Sequence, residues 1–206
     1  MEKQFENICR KFGNPQKCAT AFAEIVAQYR VPERFYHTFH GHIIFCISEL
    51  EKVPAEMISE KEAVTMSLFL HDIIMDFSRS DNEKSSAEFA EEFCHELEMP
   101  SRFGKKVAEL TIATKHDATP KDRDAQIVID IDLAILGQDK ETFDAYEINI
   151  RREYAYVPEE VFKRERAKIL KKFLDRPSIF LTEYFRQKYE DQARKNLRRS
   201  IGQLEA

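Results

Sequence analysis

His71 and Asp72 stand side by side near the end of the apolar run from Ala63 to Met75. An imidazole and a carboxylate buried together are costly unless they are paired or bound to a metal ion. The chain offers partners on both sides. His42 lies 29 residues before His71 at the head of one apolar run, and Asp132 lies 60 residues after Asp72 inside another. Three helices offering His, His-Asp and Asp can converge on one divalent cation. Mixed imidazole and carboxylate donors suit borderline and hard first-row ions such as Mn²⁺, Fe²⁺ or Zn²⁺.

The elements that must position these residues read as helices. Gln16 to Gln28 carries Ala19, Phe22, Ala23, Val26 and Ala27 on one stripe, and the run from His42 to Leu50 is similarly apolar. Ser59-Glu60-Lys61-Glu62 has the form of a capping box, opening a helix that is apolar nearly all round and therefore central. Further helices are predicted from Ser85 to Leu97, from Pro100 and Ser101 to about His116, and from Ala125 to Leu136, with Gly137 as a C-cap. The β-branched Ile127-Val128-Ile129 favours a strand locally, but the length of the segment and its Gly stop favour a helix. Three long amphipathic helices, near 140–156, 158–174 and 178–204, complete the chain. The reading is one all-α domain over 1–206, with a core at about 16–137 and C-terminal helices at about 140–204.

Composition bounds the function. The 206 residues are 43% hydrophobic and 33% charged with only five Gly, which excludes disorder and disfavours a many-stranded β fold. A net charge of −5 argues against a surface that coats nucleic acid. The basic run Arg194–Arg199 is preceded by Glu190 and Asp191 on one amphipathic stretch and reads as a solvated helix face. Cys9, Cys18, Cys46 and Cys94 form no CxxC pair and read as reduced packing residues. With no apolar leader and no run of 18 apolar residues, the expectation is a soluble cytoplasmic protein without a membrane or nucleic-acid polymer as partner.

An ordered series of motifs makes the reading specific. It runs through Tyr36-His37-Thr38…His42-Ile43, His71-Asp72-Ile73-Ile74-Met75-Asp76, Asp81-Asn82-Glu83-Lys84-Ser85-Ser86-Ala87, Thr114-Lys115-His116, Asp130-Ile131-Asp132-Leu133-Ala134-Ile135-Leu136-Gly137 and Ile150-Arg151-Arg152-Glu153-Tyr154. The series resembles the bacterial metal-dependent HD phosphohydrolases of the HD superfamily over roughly residues 29 to 200. The resemblance implies an all-α HD-domain helical bundle and a metal held by His42, His71, Asp72 and Asp132. The chain departs from the family at its first motif, where the family spaces its histidines as YHxxxH. Here Thr38, Phe39, His40 and Gly41 separate His37 from His42, one residue more, which leaves His40 as an alternative to His42.

The remaining assignments are chemical. His37 is placed, by similarity to cyclic-nucleotide phosphodiesterases, as a general acid toward the leaving oxygen. Glu83 is a candidate to polarise the attacking water, or simply the acid that a helix N-terminus prefers. His116 ends its helix where a phosphate or second ion can be met. Arg151 and Arg166 are candidate substrate clamps, because a guanidinium matches phosphate bidentately. Asp130 and Asp132 point about 200° apart on a helix, so Asp130 is left with a supporting role, an Arg partner or solvent. His95, among charged neighbours, reads as a surface residue.

The expected function is hydrolysis of a phosphate ester of a nucleotide or small phosphorylated metabolite. The expected cofactor is a divalent ion (Mn, Mg, Zn, Fe or Ni), and aromatic content suits a homodimer. The rivals are a non-catalytic metal- or nucleotide-binding HD protein and a di-iron HD-type oxygenase.

Overall fold

The computed structural model describes residues 1–206, and its regular elements are all helical. They are α1 (Glu2–Phe12), α2 (Pro15–Gln28), α3 (Ile44–Lys52), α4 (Lys61–Leu70), α5 (Asn82–Glu96), α6 (Ser101–Ala113), α7 (Arg123–Asp132), α8 (Lys140–Glu153), α9 (Glu159–Leu174) and α10 (Glu183–Leu204). Shorter turns sit at Phe39–Ile43 (π), Ala55–Met57 and Leu133–Gly137 (both 3₁₀). No helix is long and apolar enough to cross a membrane. The chain divides into two compact units, Met1–Ile129 and Asp130–Ala206, with the boundary inside α7.

In the first unit α4 is the buried element. Every residue from Ala63 to Leu70 is buried, as expected of a helix that is apolar nearly all round. Phe69 meets Phe5, Phe22 and Phe39 at ring separations of 6.2, 6.0 and 6.4 Å. Burying a side chain of that size stabilises by roughly 1.5–3 kcal/mol. Tyr29 donates its hydroxyl to the Phe69 carbonyl at 2.9 Å, so a phenol among apolar rings is satisfied.

The start of α4 corrects one expectation. No capping box forms, because Glu62 is ion-paired with Lys11. Asp124 of α7 takes its place and accepts the backbone N–H groups of Ser59 and Glu60, both at 2.8 Å. A carboxylate at this end also complements the helix dipole.

A second correction concerns the cysteines. Cys9 and Cys18 are joined as a disulfide across the turn between α1 and α2, while Cys46 and Cys94 are free and buried. A separation of nine residues over a tight turn places the two on facing turns of neighbouring helices, a relation that spacing rules of the CxxC kind do not detect. Burial pushes the Cys94 thiol up to about 12, consistent with an inert packing residue.

In the second unit Asp130 organises the start of α10. Its carboxylate is fully buried and accepts from Leu181 N (2.6 Å), Thr182 N (2.7 Å) and the Thr182 hydroxyl (2.7 Å). Burial pushes its carboxyl up to about 6, against the pull of these three donors. Asn196 of α10 donates to the carbonyls of Leu136 and Gln138 at 2.9 and 2.8 Å, pinning the turn before α8.

Gly137 lies in that turn, but not as a left-handed cap, since no glycine has positive φ. It is there for space: a Cβ would overlap the Tyr189 side chain and approach its carbonyl to 2.9 Å. Gly137→Ala is therefore expected to cost about 1–3 kcal/mol, the range for overpacking. Chemical denaturation checks it, and a variant as stable as the parent contradicts the close approach.

Candidate metal centre

The turn that carries the first histidine is wound more loosely than an α-helix. Ile43 N donates to Thr38 O at 3.3 Å, five residues back, while His42 N reaches the same carbonyl at 3.0 Å. Single π turns of this kind occur within helices, often at functional sites. Gly41 permits it, since a Cβ there would lie 2.9 Å from Thr38 Oγ1 and 3.3 Å from Tyr36 O. The same hydroxyl accepts Gly41 N at 3.0 Å. The winding buries His42 and leaves His40 exposed.

His71 caps the C-terminus of α4 and is buried. Its Nδ1 lies 3.1 Å from the Leu68 carbonyl. A carbonyl only accepts, so Nδ1 carries the proton and a neutral ring presents Nε2 as a bare lone pair. That Nε2 is 2.9 Å from Nε2 of His42. Asp72 Oδ2 lies 3.2 Å from both of these nitrogens.

Two imidazole nitrogens and a carboxylate oxygen facing one another require positive charge between them, either a proton or a cation. The three atoms form a triangle with sides of 2.9, 3.2 and 3.2 Å. A point about 1 Å off its plane is about 2.0–2.1 Å from every corner, the bond length expected for such ligands. Cys46, one turn after His42 on α3, brings its Sγ within 3.7 Å of His42 Nδ1 and 3.9 Å of Nε2. The buried group formed by His42, Cys46 and His71, with Asp72 beside it, can hold a metal ion.

Electrostatics agree with the geometry. Burial alone would push the Asp72 carboxyl up. The neighbouring His71 and His42, with His37 further out, outweigh that and hold it well below the usual carboxylate range.

The backbone around the pair is fixed by Arg34, which is itself only 6% exposed. Its guanidinium donates to the carbonyls of Asp72 (2.6 Å), Ile73 (2.9 Å) and His37 (3.2 Å) and stacks 4.8 Å over the Tyr29 ring. Beyond it, Ser86 of α5 exchanges hydrogen bonds with Ile74, and Asn82 does so with Asp76. The loop that follows His71-Asp72 is thus tied to α5.

Comparison with known protein-family models, with curated proteins and with solved structures finds no match.

The structure brings together His42, His71 and Asp72 from the residues singled out in the sequence. His37 stands alongside, half-buried, with its ring 5.6 Å from that of His42 and 4.9 Å from Tyr36. Glu83 occupies the first turn of α5, where its charge acts on Lys115. His116 follows α6 with a left-handed backbone (φ 59°), a conformation that costs a non-glycine residue energy and concentrates at functional sites.

Asp132, Arg151 and Arg166 belong to the second unit. Asp132 ends α7. Arg151 is spent on Glu159 (2.8 Å), the carbonyls of Tyr154 and Val157, and the face of Phe162, which fastens the turn between α8 and α9. Arg166 is buried against Glu147 and the Tyr146 hydroxyl (2.7 Å), and those partners hold its guanidinium protonated. Neither arginine presents an open fork to phosphate. Sequence reasoning missed Cys46 and Arg34. The His42–Cys46 spacing of four residues, a single helical turn, was the available signal for the first; nothing local marks the second.

Proposed function

We propose that the chain is a metal-dependent phosphohydrolase of HD type, acting on a phosphate ester of a nucleotide or small phosphorylated metabolite. The observation that carries the reading is the convergence of His42 Nε2, His71 Nε2 and Asp72 Oδ2 at 2.9–3.2 Å on a buried spot. The π turn adds support. It absorbs one residue more than an α turn, which is the residue by which this segment exceeds the YHxxxH spacing of the family it resembles. Asp132, on the last turn of α7, is assigned as the further carboxylate ligand by that resemblance.

A divalent ion held by these residues supplies Lewis acidity toward a phosphoryl oxygen and lowers the pKa of an attacking water. The protein's own groups do the rest. The Leu68 carbonyl fixes the His71 ring so that Nε2 points inward, an outer-shell bond of the kind metal-binding histidines ordinarily make. Arg34 holds the backbone of Asp72 and Ile73 and so sets the direction of the carboxylate. His37, partly open to solvent beside the pair, is assigned to deliver the proton to the leaving oxygen.

The test is phosphate release from a panel of nucleotides, cyclic nucleotides and phosphomonoesters by protein loaded with Mn²⁺ or Zn²⁺. Release from at least one compound, abolished by chelation and restored by the ion, is the expected result. A metal-loaded protein that hydrolyses none of them yet is thermally stabilised by one is a binding protein, and the catalytic reading is then wrong.

A further inference from the structure

We infer that the ring of Phe77 stacks on the base of a nucleoside leaving group, which makes the substrate a nucleotide rather than a phosphorylated sugar or polyol. The inference rests on the phosphohydrolase reading above and deepens it by naming the substrate class.

His37 adjoins both the metal pair and Phe77. Its ring lies 5.6 Å from that of His42, whose Nε2 converges with His71 and Asp72. The Phe77 ring lies 6.3 Å from His37 at an interplanar angle of 48°. A phosphate bound at the ion turns its ester oxygen toward the group that protonates it, the role assigned to His37. The leaving group hangs from that oxygen, so it meets the side chains that border His37. Phe77 is one of them, and a phenyl ring has no donor or acceptor for a sugar hydroxyl. It offers a flat apolar face, which pairs with the face of a base.

The backbone around Phe77 is held in place. The ring is half-buried in a loop whose neighbouring residues, Asp76, Ser78, Arg79 and Ser80, are exposed. The backbone N–H and carbonyl of Asp76 bond the Asn82 side chain at 3.0 and 2.9 Å. Asp76 Oδ1 accepts the Ser78 N–H at 2.9 Å and its hydroxyl at 2.6 Å. Arg79 then donates twice to Asp81, at 2.8 and 2.7 Å. The residues on either side of Phe77 are thus fixed, and a loop ordered in advance costs a ligand little on binding. Stacking does not read the hydrogen-bonding edge of a base, so purine and pyrimidine nucleotides should both be accepted.

Steady-state phosphate release by the intact chain loaded with Mn²⁺ tests the inference. The substrates are adenosine 5′-monophosphate, uridine 5′-monophosphate and ribose 5-phosphate, the last being the same ester without a base. The expected result is a kcat/KM for both nucleotides at least about fivefold above that for ribose 5-phosphate, the low end of what one stacked base contributes. In Phe77→Ala that ratio should fall to about one through a higher KM for the nucleotides, and Phe77→Tyr should keep it. Equal or faster turnover of ribose 5-phosphate by the wild-type chain overturns the inference and leaves the hydrolytic reading standing. So does a Phe77→Ala variant that slows all three substrates in proportion, which is the signature of a merely structural ring. No release from these or any other phosphate ester overturns both. The wild-type ratio decides the matter even if Phe77→Ala does not fold.

Discussion

His71→Ala is expected to remove the bound divalent ion and, with it, phosphate release. His71 supplies one of two imidazole nitrogens that face each other at 2.9 Å, and its ring is held in that tautomer by Leu68 O. The loss in metal affinity should exceed the roughly 10–100-fold that follows removal of an outer-shell partner. Circular dichroism separates this from unfolding: an unchanged helical spectrum places the loss at the site. His42→Ala should behave alike, and His40→Ala, which alters an exposed ring, should leave metal content unchanged. Retention of the ion in His71→Ala at wild-type affinity contradicts the placement of the ligand.

Arg34→Ala is expected to produce the largest loss of stability among single side-chain truncations near the site. Three carbonyls, those of His37, Asp72 and Ile73, would lose a charged donor at once, in a region with little access to water. Hydrogen bonds to charged groups are worth about 1.5–3 kcal/mol each, and orphaned buried acceptors add a desolvation cost. The contributions do not add fully, so a net loss of roughly 3 kcal/mol or more is expected from urea denaturation. Arg34→Lys should recover only part of it, because one ammonium cannot reproduce the planar fork that serves all three carbonyls. A variant within about 0.5 kcal/mol of the parent, the range for ordinary surface changes, contradicts the bracing role.

Much of this was legible in the chain. The apolar periodicity located the helices from α2 to α10, and it ranked α4 as the buried one because Ala63–Leu70 offers no polar face. The ambiguous Ile127-Val128-Ile129 is helical in α7, where the length of the pattern outweighs local β propensity. Two helix starts moved for physical reasons. Asn82 begins α5 within the polar break before Ser85, and α10 begins at Glu183, after Asp130 has collected the N–H groups of Leu181 and Thr182. Helix α1 escaped notice because its apolar positions, Phe5, Ile8, Cys9 and Phe12, are sparse among charges. A helix of eleven residues is marginal alone and is held by packing.

What stayed hidden depends on contacts distant in sequence. Ser59-Glu60-Lys61-Glu62 has the letters of a capping box, yet Asp124, more than sixty positions later, takes the donors and Lys11 takes the acid. Gly137 looked like a conformational requirement and is instead a steric one, imposed by Tyr189. At the site, residue types pointed to His42, His71 and Asp72, but only the winding of Phe39–Ile43 separates His42 from His40. Cys46 resembled any small buried residue until its sulfur was placed beside an imidazole.

The measurement that bears most directly on the central claim is metal content. Equilibrium dialysis of the intact chain against Zn²⁺ or Mn²⁺, followed by elemental analysis, should give about one ion per wild-type chain, with occupancy lost in His42→Ala, His71→Ala and Asp72→Ala. A wild-type chain that retains no ion, or one whose occupancy those three substitutions leave unchanged, would contradict the account.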